Sequence, residues 1–343
     1  MERDFVRKCV YVAGLVVVLL ALWKLAGVIL LAFAAVIIAV MVRSLSDPIR
    51  RRTGLPDGVS LAGAAAAIGA VLAGAGWLFG STVAEQVDGL AERLPQSLVE
   101  LEALLRSLPF GEQLAAGLSG AGAASDLQSM VGQVGGYVVA VVGAGANLLL
   151  VLFAGLFFSA QPERLRDGVL ILIPRGAREH LREAADESGR ALRLWLLGTL
   201  ADMVVVGVLT GAGAALIGLP SPVALGLFAG LAAFVPIVGP IVSVVPAVLL
   251  ALEQGPQMIV WTVLVYFAVQ QIESNLIYPF IQKRAVDLPP VLTLFGVLGL
   301  GTLFGPLGVV LASPLLVVGL VWVKLLYVRN TLKEDIPLPG SSR

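Results

Sequence analysis

Long uncharged runs separated by short charged connections make up most of the chain. After Arg7 and Lys8 the sequence is apolar as far as Val42, apart from Lys24, and further runs cover 61–82, 134–160, 194–219, 223–252, 257–269 and 291–323. Residues 10–42 as one helix would measure about 50 Å at 1.5 Å per residue, well beyond a hydrocarbon layer of roughly 30 Å. That run is therefore read as two spans turning near Trp23, Lys24 and Gly27, and as a membrane anchor, since no small-residue cleavage site closes it. Eight hydrophobic units result. The expected fold is an all-α polytopic membrane protein with two Pro/Gly-broken helical segments and an extracytoplasmic amphipathic helical region.

The two broken segments nearly repeat each other. The first runs Leu219-Pro-Ser-Pro-Val-Ala-Leu-Gly-Leu-Phe228, then Pro236-Ile-Val-Gly-Pro240 and Pro246; the second runs Leu288-Pro-Pro-Val-Leu-Thr-Leu-Phe295, then Gly305-Pro306, Gly308 and Pro314. A proline inside a membrane helix removes a donor and frees a carbonyl that hydrocarbon cannot satisfy, so such breaks belong where protein or a water-filled cavity covers them. Paired interrupted segments point to the central site of a transporter, where these residues and Pro279 would act as hinges or line the path. The pattern fits either a full crossing or a dip and return, and a simple packing kink is the bland alternative.

The connections give orientation. Arg43, Arg50, Arg51 and Arg52 lie in 43–57 and seven arginines lie in 161–193, while 83–129 holds two arginines against seven acidic residues. Cationic loops resist translocation, so the first two should be cytoplasmic and the third should face outward; Lys324, Arg329 and Lys333 put the C-terminus inside as well. The organisation read from this is transmembrane helices 1–3 over 1–82, an extracytoplasmic amphipathic segment over 83–132, transmembrane helix 4 over 133–160, a cytoplasmic charged helical segment over 161–193, a core of helices 5–8 over 194–328 and a cytoplasmic tail over 329–343. In the outward segment Val87, Leu90, Leu94, Leu98, Leu101, Leu105 and Leu108 recur at helical spacing, as for a helix resting on the membrane domain, a lid or an oligomerisation element. In the inward one Glu179 and Arg182, Glu187 and Arg190, and Asp186 and Arg190 are spaced for pairing along a helix that runs into the Leu194 span.

Composition agrees: 58% of residues are hydrophobic and 13% charged, with a mean hydropathy of +0.95. The formal net charge is zero, so nothing argues for a nucleic-acid partner. Cys9 is the sole cysteine and His180 the sole histidine, leaving no disulfide and no metal cluster to expect. The Ala/Gly face from Ala62 to Gly76 allows close helix packing, within a subunit or in a homo-oligomer.

Charges and amides at membrane depth are costly and so mark candidate sites. Asp202 lies nine residues past Arg193, about 13 Å along a helix. It would either bind a proton or cation inside the bilayer or pair with Arg193 at the interface. Gln270-Gln-Ile-Glu-Ser-Asn275 forms the second group. On a helix Gln270, Glu273 and Ser274 share one face and Gln271 and Asn275 the next, a strip of donors and acceptors able to hold a hydroxylated solute or a cation, or merely a polar helix end.

These residues carry a resemblance. Gly218-Leu-Pro220 with Val235-Pro-Ile-Val-Gly-Pro240, Gln270-Gln-Ile-Glu-Ser-Asn275 with Pro279, and Phe304-Gly-Pro-Leu-Gly308 with Ala312-Ser-Pro314 resemble the signature segments of the AI-2E transporter family, also called the autoinducer-2 exporter or PerM-like permease family. The match is close over about 190–323 and agrees only in layout before that. One departure is Gly198-Thr199, where members typically carry Gly-Gln; if Thr199 touches solute, the substrate differs. The resemblance implies export of small polar molecules such as autoinducer-2 in some members and sodium/proton exchange in others.

The expected function is a secondary-active transporter that probes of H⁺ or Na⁺ coupling should reveal, exporting a small polar solute by alternating access in a bacterial cytoplasmic (inner) membrane with both termini cytoplasmic. Asp202 and Glu273 are the candidate coupling carboxylates, and Gln270, Gln271, Asn275 and Thr199 line the candidate path. The alternatives are a cation/proton antiporter and a channel or membrane scaffold. No Gly-x-x-x-x-Gly-Lys, His-Glu-x-x-His or Gly-x-Ser-x-Gly motif occurs, so neither a nucleotide, another cofactor nor an enzymatic activity is expected.

Overall fold

The structure, a computed structural model, describes residues 2–71, 73–74, 145–252, 254–277 and 288–334. All secondary structure among the described residues is helical. The outward segment over 83–132 and Pro279 lie outside the described residues.

The chain opens with α1, an unbroken 52-residue helix over Glu2–Thr53. This corrects the expected turn near Trp23, Lys24 and Gly27. No proline lies there, and a helical glycine costs only about 1 kcal/mol against alanine. Lys24 is exposed and can carry its ammonium along the apolar surface toward water. Trp23 is also held in the middle of the helix by Phe304, with ring centroids 6.1 Å apart. The helix ends at Gly54, whose φ of +69° suits a left-handed terminating residue, and Pro56 follows. A short helix, α2 (Asp57–Val71), then packs Leu61, Ala64 and Ile68 on Val42 of α1.

Next come α3 (Gly145–Ala160) and α4 (Pro162–Ile171). A Cβ on Gly155 of α3 would meet Ile38 Cγ2 at 2.6 Å, so α3 and α1 touch closely there. After a 3₁₀ turn over Arg175–Ala177, α5 runs for 39 residues, Arg178–Leu216, from charged residues straight into apolar ones. Its charges pair differently from the expected in-helix pattern. Arg166 of α4 takes Asp186 at 2.6 Å and Arg182 takes Asp167 at 2.8 Å, so α4 is laced to α5; only Glu187 and Arg190 pair along the helix. Tertiary proximity outcompetes helical spacing because an exposed pair at i,i+4 is worth only about 0.3–0.5 kcal/mol.

Both Pro/Gly-broken segments turn back on themselves. In the first, α6 (Pro222–Ala232) and α7 (Val238–Leu252) are joined by a short turn in which Ile237 has a φ of +71°. A Cβ on Gly239 would lie 2.0 Å from the Ala232 carbonyl oxygen, so the arms meet backbone to backbone just past the turn. After α8 (Pro256–Ile272), which continues as a π-helical turn over Glu273–Ile277, the second segment is α9 (Pro290–Trp322). Gly305 interrupts α9 with φ 64° and ψ −149°. Across it a Cβ on Gly308 would sit 2.0 Å from Leu300 O, one on Gly301 2.7 Å from Val309 Cγ2, and one on Gly296 2.6 Å from Leu316 Cδ1. A straight helix would hold residues eight apart at about 12 Å. Residues 290–304 and 306–322 are therefore the two arms of an antiparallel hairpin with its tip at Gly305. Each returning arm has an internal proline, Pro246 and Pro314, and both are buried.

Three stretches among the described residues are long and apolar enough to cross a membrane: Trp23–Thr53, Arg175–Leu216 and Pro290–Arg329. The third folds back at Gly305, and the other apolar helices are shorter. The largest apolar cluster joins Leu30 and Ile37 of α1, Leu192, Trp195 and Leu196 of α5, and Leu311, Val317 and Val321 of α9. Phe234 from the first hairpin turn and Phe304 and Leu307 from the second pack on this same cluster, so both tips converge beside the middle of α5. Phe234 meets Trp195 edge-on at 5.7 Å, a geometry worth about 0.5–1.5 kcal/mol beyond burial.

Candidate functional site

Four glycines bring the first hairpin onto α5. Gly207 and Gly211 face Gly226 and Gly230, each pair spaced four apart on its helix; a Cβ on Gly226 would be 2.5 Å from Gly207 O and one on Gly230 2.5 Å from Met203 O. Such small-residue faces let backbones approach where a side chain would hold them apart. The four-residue spacing is visible in the sequence, whereas the opposing backbone that gives it meaning is not.

Beyond this crossing, α5, both arms of the first hairpin and α8 border an open cavity of about 260 Å³. Most of its wall is aliphatic or aromatic, including Val206, Ala229, Val244 and Val269, and the polar groups are Thr210, Ser243, Tyr266, Gln270 and Glu273. Gln270 Nε2 donates to Glu273 Oε2 at 3.0 Å, and Ser243 Oγ donates to the Pro240 carbonyl at 2.8 Å. Tyr266 is only 7% exposed, and its hydroxyl has no hydrogen-bond partner. Asp202 Oδ1 is likewise shielded and unpartnered, and its carboxylate lies within electrostatic reach of Glu273.

Asp202 does not pair with Arg193, which instead reaches Asp47 of α1 at 3.0 Å. Of the amide strip, the structure brings Gln270 and Glu273 into the cavity beside Asp202. Gln271 and Asn275 are exposed and bond to each other instead, Asn275 Nδ2 donating to Gln271 O at 2.9 Å. Thr199 is half-buried one turn before Asp202 and does not line the cavity. Pro240 lines it, Gly239 sits at the arm crossing, and Pro236 lies in the turn. Gly305, Pro306 and Gly308 form the other tip, against the central cluster. Tyr266 was missed by sequence reading, although it stands one helical turn before Gln270 and continues the same face. Among the described residues no group of three His, Cys, Asp or Glu could hold a metal ion, and His180 is exposed.

Residues 12–327 match the family described as AI-2E family transporter. Among curated relatives, Putative transport protein YrrI of Bacillus subtilis is 32% identical over 44% of this chain and 43% of its own length. Putative transport protein YueF of the same organism is 24% identical over 68% of this chain and 67% of its own. Putative transport protein MT0215 of Mycobacterium tuberculosis is 31% identical over 48% of this chain and 46% of its own. The chain thus aligns with less than half the length of two of these three relatives.

Proposed function

The chain belongs to the AI-2E transporter family, and we propose that it is a secondary-active membrane transporter, moving a small solute through the cavity lined by Glu273 near Asp202. The observation that carries this reading is a pair of shielded, unpartnered oxygens at this place: the Tyr266 hydroxyl, which belongs to the cavity wall, and Asp202 Oδ1, which lies outside that wall near Glu273. A polar group held from water without a partner costs about 1–3 kcal/mol, so its retention there favours a bound species as the partner.

Both arms of the first hairpin and the outgoing arm of the second are too short for a full crossing: at 1.5 Å per residue the longest, of 15 residues, reach about 23 Å against a hydrocarbon layer of roughly 30 Å, whereas the returning arm from 306 runs on through a π-helical stretch to Arg329. The hairpins would dip in and return, with tips near mid-membrane on the Trp195 cluster. Withdrawal of one tip from that cluster is a discrete step that could open the cavity to one side, as alternating access requires. Export of a small polar solute such as autoinducer-2 from the bacterial cytoplasm, coupled to H⁺ or Na⁺ and with both termini cytoplasmic, fits the arginines in the last turn of α1 and those in the charged first half of α5. The partly exposed Ala/Gly face of α2 offers a contact for a homo-oligomer. A cation/proton antiporter is the second reading, favoured by the mutual approach of the two carboxylates.

Proton-gradient-driven uptake into inside-out proteoliposomes tests both. Concentrative uptake of autoinducer-2, lost in Glu273→Gln and Asp202→Asn, is expected. Sodium exchange without solute uptake would select the antiporter, and no gradient-driven flux of either would remove the transporter mechanism altogether.

A further inference from the structure

The wall of the cavity is more informative than its volume. It holds one carboxylate, Glu273, with that of Asp202 within electrostatic reach just outside it, and none of the lining residues is basic. The nearest arginine along α5, Arg193, is engaged with Asp47. Tyr266 is more than nine-tenths buried and brings an unpartnered hydroxyl and an aromatic ring to the same cavity. Ionised carboxylates in a low-dielectric site need a countercharge, and an aromatic face attracts a cation by about 0.5–2 kcal/mol.

The remaining wall is apolar, and Ile241, Val263 and Phe267 are exposed along its rim. The cavity therefore opens sideways between α7 and α8, through hydrophobic side chains. A hard metal cation would want about six converging oxygens, carboxylates chief among them, and no group of three His, Cys, Asp or Glu gathers among the described residues. A neutral polyol would leave most of its hydroxyls facing aliphatic carbon, which is unfavourable. We infer that this cavity selects a small organic monocation with an apolar body, its ammonium group held by Glu273 and Tyr266 with the Asp202 carboxylate close behind, and its body by the aliphatic wall. The inference rests on the cavity being the transporter's solute site and names the class of that solute.

The test is equilibrium binding of benzyltrimethylammonium to the full chain in lipid nanodiscs, with protein-free nanodiscs as the baseline for partition into lipid. Benzyl alcohol, autoinducer-2 and sodium serve as competitors. Saturable binding is expected, weakened about tenfold or more in Asp202→Asn/Glu273→Gln, as loss of a charged partner implies, and unaffected by benzyl alcohol. Tyr266→Phe keeps the ring and should retain most of the affinity, whereas Tyr266→Leu should not. Size-exclusion and melting profiles of each variant separate lost binding from lost fold. Equal binding by the native and doubly substituted proteins, or displacement by the neutral alcohol, overturns the inference. So does gradient-driven uptake of autoinducer-2 by a protein that binds no ammonium, and that result leaves the transporter reading standing. Binding with no flux of any solute supports the cation site and removes the transporter mechanism.

Discussion

Replacing Gly226 by alanine should separate α6 from α5 and close or distort the cavity. The new Cβ would lie 2.5 Å from Gly207 O, 2.9 Å from Gly211 Cα and 3.0 Å from Gly211 N, whereas ordinary contact begins at 3.4 Å. All three obstacles are backbone atoms, so no side-chain rotamer can relieve the clash, and the helices must move apart by nearly 1 Å. Overpacking of this kind costs about 1–3 kcal/mol. At roughly 2–4 °C per kcal/mol, the figure for chains of 150–250 residues, the melting midpoint should fall by about 2–12 °C. The assay is thermal unfolding of the purified protein in detergent, followed by tryptophan fluorescence, beside Gly63→Ala. A Cβ at Gly63 meets nothing within 4 Å, so that control should melt with the native protein or slightly above it. Because α6 supplies Ala229 to the cavity wall, Gly226→Ala should also lose solute flux. If Gly226→Ala melts with the native protein and transports normally, the backbone-to-backbone packing of α5 on α6 is refuted.

The second hairpin is tested by cross-linking: in a Cys9→Ser background, Gly301→Cys with Val309→Cys should form a disulfide under mild oxidation. A straight helix, with these positions about 12 Å apart, would give none. Gly305→Ala should destabilise by about 1–3 kcal/mol through backbone strain alone, since its φ and ψ suit only glycine and a Cβ there meets nothing within 4 Å; an unchanged midpoint would contradict the tip geometry. On the charged face, hydrogen bonding from Arg182 first, and from Arg166, holds the Asp167 carboxyl below its ordinary value of 3.8. A native value below the unfolded one means that this tie stabilises fully above about pH 4 and is lost as pH falls through the native value. Asp167→Asn should therefore flatten the acid limb of a melting-against-pH profile, and an identical limb would show that the tie contributes nothing.

The sequence by itself determined the all-helical membrane character and the two Pro/Gly breaks, and it singled out Asp202, Gln270 and Glu273 as candidates. Those conclusions rest on local properties: the length and polarity of a run, the donor a proline lacks, and the cost of a charge in hydrocarbon. They also placed Gln271 and Asn275 on a different face from Gln270 and Glu273, as is found. Tertiary structure decided what depends on separation in space. Residues 10–42 stay in one helix because the features near Trp23 are too weak to break it and Phe304 packs there. Arg193 takes Asp47, a residue 146 positions away, and so leaves Asp202 without the partner its own helix might have supplied. The return of each hairpin follows from glycines whose missing side chains matter only once the opposite arm is present, which is why Gly308 and Gly239 read as breaks in the sequence and as contacts in the fold. Tyr266 looks like any interfacial tyrosine until α5 and the first hairpin close over it. A run of residues specifies what each segment prefers, while the partner of a charge or the roof of a cavity is set by whichever segments pack against it.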